Sequence, residues 1–115
     1  MFGLHATLNY YLYEQACDMR KSFDGLSGLV RNCLGQSPTN GDVFIFLNKR
    51  RNMLKLLHWE GDGFVLYYKR LEQGTFARPE LSKNKQTISW SDLALMVAGI
   101  EVIKSRQKPR FSLPK

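Results

Sequence analysis

The sequence predicts an α+β domain: a mainly antiparallel β-sheet, with a β-meander over residues 43–70, covered by two helices. Three observations predict it. Residues 43–70 contain three apolar runs of strand length separated by short polar turns. Spacings that short join antiparallel neighbours, because a parallel pair needs a long crossover. One segment before this meander and one after it carry apolar residues at helical spacing. A chain of 115 residues with ordinary apolar content also fits one compact core, with no need of metal or disulfide staples.

The first element expected is a strand over Ala6–Tyr13. Leu8, Tyr10 and Leu12 alternate there with Thr7, Asn9, Tyr11 and Tyr13, and β-forming tyrosines are dense. A helix follows, with Phe23, Leu26, Val30, Cys33 and Leu34 as one apolar stripe. Gly35 stops it and Pro38 lies just beyond. Two starts are open. Asp18 as the cap would put Arg20 and Lys21 in the first turn, where each cation opposes the helix dipole by ~0.3–1 kcal/mol. Ser22 as the cap costs less and puts Asp24 favourably in the first turn. Residues 37–42, SPTNGD, are a loop by composition.

Val43–Leu47 reads as a strand that is apolar on both faces, hence central. The loop Asn48-Lys49-Arg50-Arg51-Asn52 leads to a second strand, Met53–Trp59, and a third, Phe64–Arg70. Gln73-Gly74 turns the chain, Phe76–Arg78 is expected as an edge segment before Pro79, and residues 80–86 form a polar loop. Thr87–Ile88 is expected to pair briefly with the sheet. Ser89-Trp90-Ser91-Asp92 fits a capping box, with Ser89 as N-cap and Asp92 three residues into the helix. That helix is expected to run to about residue 102, with Leu93, Val97 and Ile100 as its stripe and Met96 beside it. Residues 1–103 are expected to form a single domain. Residues 104–115, rich in cations and interrupted by Pro109 and Pro114, are expected to be a flexible basic tail.

Charge and cysteine content narrow the function. The longest unbroken apolar run, Val43–Leu47, is far too short to span a bilayer. The N-terminus has no positive region ahead of a long apolar run. A soluble cytoplasmic protein without a membrane partner is expected. Cys17 and Cys33 have no CxxC spacing, and His5 and His58 are isolated, so two reduced thiols are expected rather than a metal site or a disulfide. Lys and Arg number 17 against 10 Asp and Glu, a net charge of +7. The excess is clustered at Lys49-Arg50-Arg51, Lys69-Arg70 and Arg20-Lys21. Such clusters favour an anionic partner, nucleic acid first. A hairpin tip with three cations can hold phosphates, and Lys55 interrupts the apolar pattern of the strand that follows. Tyr10, Tyr11, Tyr13, Tyr67 and Tyr68 could stack on bases where exposed, although aromatics at alternate strand positions usually pack the core.

The stretch Trp59-Glu60-Gly61-Asp62-Gly63-Phe64, WEGDGF, has the most catalytic look of any segment. A calcium loop needs oxygen ligands at alternating positions over about a dozen residues, and only Glu60 and Asp62 are offered. A phosphate loop precedes a helix, whereas a strand follows here. A hairpin turn needs Gly, Asn or Asp where φ is positive, and this stretch supplies them between two strands. The other candidate carboxylates, Asp18, Asp24 and Asp42, are scattered, and no nucleophile-elbow or Cys–His signature is present. The chain is read as a non-enzyme with no cofactor, no metal and no catalytic residue.

Two separated motifs carry a resemblance. Asp18-Met19-Arg20-Lys21-Ser22-Phe23-Asp24-Gly25-Leu26 resembles the DMRKGFDGL segment of the accessory protein encoded by elements of the insertion-sequence-66 family. Phe44-x-Phe46, then Arg51-x-x-x-Lys55-x-Leu57-x-Trp59-Glu60-Gly61-Asp62-Gly63-Phe64-x-Leu66-Tyr67-Tyr68-Lys69-Arg70-Leu71-Glu72-x-Gly74-x-Phe76, is similar to that family's second signature. The resemblance runs from about Thr7 to Glu101, with the last helix placed as in the family. It implies a bacterial transposition accessory protein, the TnpB or Orf2-like product encoded beside a larger transposase and unrelated to the RNA-guided nuclease that shares the TnpB label. No catalytic residue is carried over. The chain departs at Ser22, where glycine is usual, and at Arg78, where an aromatic commonly precedes the proline.

Together these readings give an expected function: a non-enzymatic transposition accessory factor that binds DNA through a basic surface. The residues expected to touch phosphate are Lys49, Arg50, Arg51, Lys55, Lys69 and Arg70, with Arg20 and Lys21 next. The alternative is an adaptor that docks on the transposase without contacting DNA. Neither reading fixes an oligomeric state.

Overall fold

The structure, a computed structural model, describes residues 4–77 and 87–98. Seven elements follow in order: β1 (Tyr10–Leu12), α1 (Phe23–Cys33), β2 (Val43–Leu47), β3 (Met53–Trp59), β4 (Phe64–Arg70), β5 (Thr87–Ile88) and α2 (Trp90–Ala98). The strands form one sheet in the order β4-β3-β2-β1-β5. The β2–β3, β3–β4 and β1–β5 pairs are antiparallel. The predicted α+β architecture is therefore present, meander included. The β1–β2 pair is parallel, and the chain between its strands carries α1, the kind of crossover a parallel pair requires.

Every residue of β2 is buried, because both sheet faces are covered. On one face Tyr10, Leu12, Val43, Ile45, Leu47, Leu54 and Leu56 pack with Phe76 and with Leu93 and Met96 of α2. On the other, Phe44, Phe46 and Leu57 pack with Cys17 and with Leu26 and Val30 of α1. Strand alternation divides each run between these two cores.

Of the two possible starts for α1, the chain takes Ser22 as N-cap, with Asp24 in the first turn. The Ser22 hydroxyl makes no capping bond; its carbonyl accepts from Leu26 N at 2.8 Å. Arg20 and Lys21 thus stand outside the helix. At the other end Gly35 adopts φ 65° and Gln36 N reaches back to Val30 O at 3.1 Å. The capping box of α2 is half formed: Ser89 Oγ accepts from Asp92 N at 3.1 Å.

Two expectations change. The strand proposed for Ala6–Tyr13 shrinks to three residues, because Leu8 N turns back to His5 O at 3.2 Å and curls the chain before the sheet. Phe76 and Ala77 form no edge strand. Phe76 is instead a core side chain, and its amide donates to Arg51 O at 2.7 Å. The end expected for α2 beyond Ala98, the loop 80–86, Arg78 and the tail from residue 104 lie outside the described residues.

Candidate nucleic-acid interface

The basic β2–β3 turn is organised by its first asparagine. Asn48 Oδ1 accepts from Asn52 N at 3.0 Å and Met53 N at 2.9 Å, and Asn48 Nδ2 donates to Asn52 Oδ1 at 2.7 Å. Asn48 O accepts from Arg51 N at 3.0 Å and so closes a four-residue turn. These bonds leave Lys49 and Arg50 at the exposed tip. Arg51 is different. It has φ 57°, the one positive φ of a non-glycine residue among the described residues. Its carbonyl takes the Phe76 amide, and its guanidinium Nη1 lies 3.4 Å from Phe76 O. Leu71 N donates to Asn52 O at 2.8 Å. Residues 71–76 are therefore laced to the basic turn.

A second segment reaches the same end of the sheet. Cys17 N donates to Leu47 O at 2.9 Å, at the last residue of β2. From there residues 18–21 run as a strap across the α1 face. Asp18 shapes it: Oδ1 accepts from Arg20 N at 2.9 Å and the carboxylate holds the Arg20 guanidinium, the closest contact being 2.7 Å. Those hydrogen bonds, side chain first and backbone second, hold the Asp18 carboxyl well below the usual carboxylate range. The Lys21 stem lies over Gly25, where an added Cβ would sit 3.1 Å from the lysine Cβ. A glycine one helical turn after the lysine makes that close approach possible.

Lys55 holds the strap down. Its side chain is 5% exposed, and its ammonium donates to Met19 O at 2.8 Å and to Lys21 O at 2.7 Å. The ammonium also lies 4.5 Å from the Tyr68 ring centroid, a favourable cation–π contact. Two carbonyls and an aromatic face satisfy a buried charge that would otherwise be costly. This changes the meaning of the lysine. It stands opposite Phe46 on β2 and Tyr68 on β4, inside the fold, with its charge turned to the strap. The two sequence motifs thus meet in space at this one ammonium.

Alternation separates Lys69 from Arg70. Lys69 pairs with Leu54 on the α2 face, and its ammonium donates to Val97 O, near the end of α2, at 2.9 Å. Arg70 pairs with Met53 on the strap face and bonds Glu72 at 3.1 Å across an exposed surface. Lys49 and Arg50 at the turn and Arg70 on β4 thus stand at the β2–β3 end, and Arg20 and Lys21 are carried on the strap that starts there. Among the described residues, Lys21, Lys49 and Arg50 have no carboxylate partner, whereas Arg20 and Arg70 each have one.

The acidic stretch lies at the far end of β3. Glu60 N donates to Gly63 O at 2.9 Å, and Gly61 takes φ 99°, the glycine that a tight hairpin demands at its first central position. Glu60 and Asp62 are exposed. Asp42, at the same end, receives a hydrogen bond from Asn9 Nδ2 at 3.4 Å. No group of three or more His, Cys, Asp or Glu that could hold a metal stands among the described residues. Cys17 is buried and Cys33 exposed, both as free thiols; burial raises the Cys17 thiol above its ordinary value. No described helix is long and apolar enough to cross a membrane.

A small α+β domain whose sheet ends in a strapped, cation-bearing edge is the class these features define. The chain belongs to the IS66 Orf2-like protein family, whose model matches residues 8–107. It is 33% identical over 109 residues to the uncharacterized protein y4jC of Sinorhizobium fredii, covering 95% of this chain and 93% of that protein. It is 32% identical over 84 residues to y4hO, an uncharacterized protein of the same organism, covering 73% of each. No solved structure matches the chain.

Proposed function

We propose that this protein is a non-enzymatic accessory factor for transposition of a bacterial insertion sequence, acting in the cytoplasm and binding DNA through the β2–β3 end of its sheet. The family supports the transposition role. The observation that carries the DNA reading is the convergence of the strap, the basic turn and the end of β4 on one sheet end. Lys49 and Arg50 supply cations there that have no carboxylate partner among the described residues, Arg70 flanks them, and the strap adds Arg20 and Lys21. Their role is phosphate contact, which positions a duplex or strand without reading sequence. Lys55 leaves this set, because its ammonium is buried and engaged. Lys69 leaves it too, because its charge is turned to the α2 face. Arg51 contributes chiefly by shaping the turn.

A filter-binding titration against the ends of the insertion sequence tests this. Affinity should fall linearly with log salt. Neutralising Lys49 and Arg50 together should reduce the slope by about two. Binding that ignores salt, or a slope unchanged in the double variant, would sink the phosphate-contact reading.

One observation favours a second reading, an adaptor for the transposase of the same element. β4 is an edge strand of seven residues, with Val65 40% exposed on the α2 face, and an open edge can pair with another chain. Co-purification with the transposase from nuclease-treated extract distinguishes the two.

A further inference from the structure

We propose that the basic end of the sheet takes single-stranded DNA, with an unpaired base stacked on Tyr68. This rests on the DNA-binding reading above and narrows it to one form of the nucleic acid. Of the five tyrosines, Tyr10 is buried, Tyr11, Tyr13 and Tyr67 are half-buried, and Tyr68 is 51% exposed. Tyr68 lies on the outer strand of the sheet, on the face that carries the strap. Two contacts fix its ring. The Lys55 ammonium sits over it at 4.5 Å, and the hydroxyl donates to Met53 Sδ at 3.4 Å. The cation–π contact uses one face of the ring, and half of the side chain is left to solvent. A ring already held in place loses little freedom when a base stacks on it.

Charge surrounds this platform. Arg70 is two residues further along the same face of β4. The strap that carries Lys21 is bonded through its carbonyl to the very ammonium beneath Tyr68. Cations beside an exposed aromatic are the combination by which proteins hold single strands: charge tracks the backbone while a ring receives a base. A duplex keeps its base faces inside its own stack and gains nothing from Tyr68. Partners of opposite charge but without bases, such as an acidic peptide, would use the cations and leave the ring idle.

The test compares a fluorescein-labelled single strand of about 16 nucleotides, the upper end of common single-strand site sizes, with the duplex of the same sequence, using the full chain and fluorescence anisotropy. The single strand should bind more tightly. Tyr68→Leu should weaken single-strand binding about tenfold or more and leave duplex binding unchanged. Tyr68→Phe, which keeps the ring over Lys55, should bind as the parent does. A strand carrying 5-iodouracil should photocrosslink to Tyr68. Equal affinity for both forms, unmoved by Tyr68→Leu, overturns the stacking proposal while DNA binding stands. Equal loss for both forms in Tyr68→Leu makes the ring structural and overturns it as well. Failure of the parent protein to bind either form overturns both readings.

Discussion

The two turns of the meander lie at opposite ends of β3 and reverse the chain by different chemistry. At the acidic end, Gly61 supplies the positive φ and one backbone bond, Glu60 N to Gly63 O, closes the turn. The carboxylates of Glu60 and Asp62 simply face water. At the basic end the positive φ falls on Arg51, a residue for which that region costs about 1–2 kcal/mol. Asn48 then supplies three side-chain bonds to hold the turn, and residues 71–76 lean on it. A turn needed only to reverse the chain can be left to glycine. The basic turn also anchors residues 71–76, and its construction shows that load.

The largest expected effect comes from cutting the tie between the strap and the sheet. Lys55→Met keeps the side-chain volume but leaves Met19 O and Lys21 O without their donor. Hydrogen bonds to charged groups contribute about 1.5–3 kcal/mol each in mutational series, so a loss of about 2–3 kcal/mol is expected, read as a lower urea midpoint at unchanged m-value. The salt slope of DNA binding should stay as in the parent. A stable Lys55→Met protein with a shallower slope would return the lysine to the phosphate-contact set and leave the strap held by something else.

The two turns can then be broken one at a time. Asn48→Ala removes the three side-chain bonds of the basic turn, for about 1–2 kcal/mol, and should weaken DNA binding because Lys49 and Arg50 lose their fixed tip. Gly61→Ala has open space for its methyl group and pays only the backbone term, about 1 kcal/mol. It should leave DNA binding untouched. Chemical denaturation and the filter-binding titration, run on both variants, separate a functional end from a merely connecting one. Matching DNA-binding losses in the two variants would erase the distinction.

How far the sequence could be read follows from where each signal resides. The meander was legible because apolar runs of strand length and the short polar turns between them are local. WEGDGF was legible as a turn for the same reason. The separation of Lys69 from Arg70 was available in principle, since neighbours on a strand face opposite ways, but both were grouped by their adjacency in sequence. Lys55 was the harder case. Its partners are the carbonyls of Met19 and Lys21, and backbone acceptors more than thirty positions away have no side-chain signature. A hint existed: β3 lies beside the wholly apolar β2, so a lysine facing Phe46 had to be inside. The short β1 and the fate of Phe76 were hidden likewise, because main-chain bonds to His5 and Arg51 decide them. Tyrosine density suggested possible stacking, yet only burial could single out Tyr68.

The smallest stability change should come from Arg51→Gly, and its salt slope shows whether the arginine does more than shape its turn. Glycine adopts φ 57° without the side-chain penalty, a gain of about 1 kcal/mol. Against this stand the greater freedom of glycine in the unfolded chain, about 0.5–1 kcal/mol, and the long 3.4 Å contact from the guanidinium to Phe76 O. The carbonyl that receives the Phe76 amide is untouched. The terms nearly cancel, so the urea midpoint should hardly move. If Arg51 serves only to shape its turn, the salt slope will not move either, and the strained arginine is explained by its hold on residues 71–76. If the slope falls by about one while stability holds, the guanidinium reaches phosphate in the complex. The left-handed backbone at the tip would then be strain retained for binding, as strained residues at functional sites often are. The same substitution at the other end is already present in nature's choice of Gly61, which is why the contrast between the turns rests on this one position.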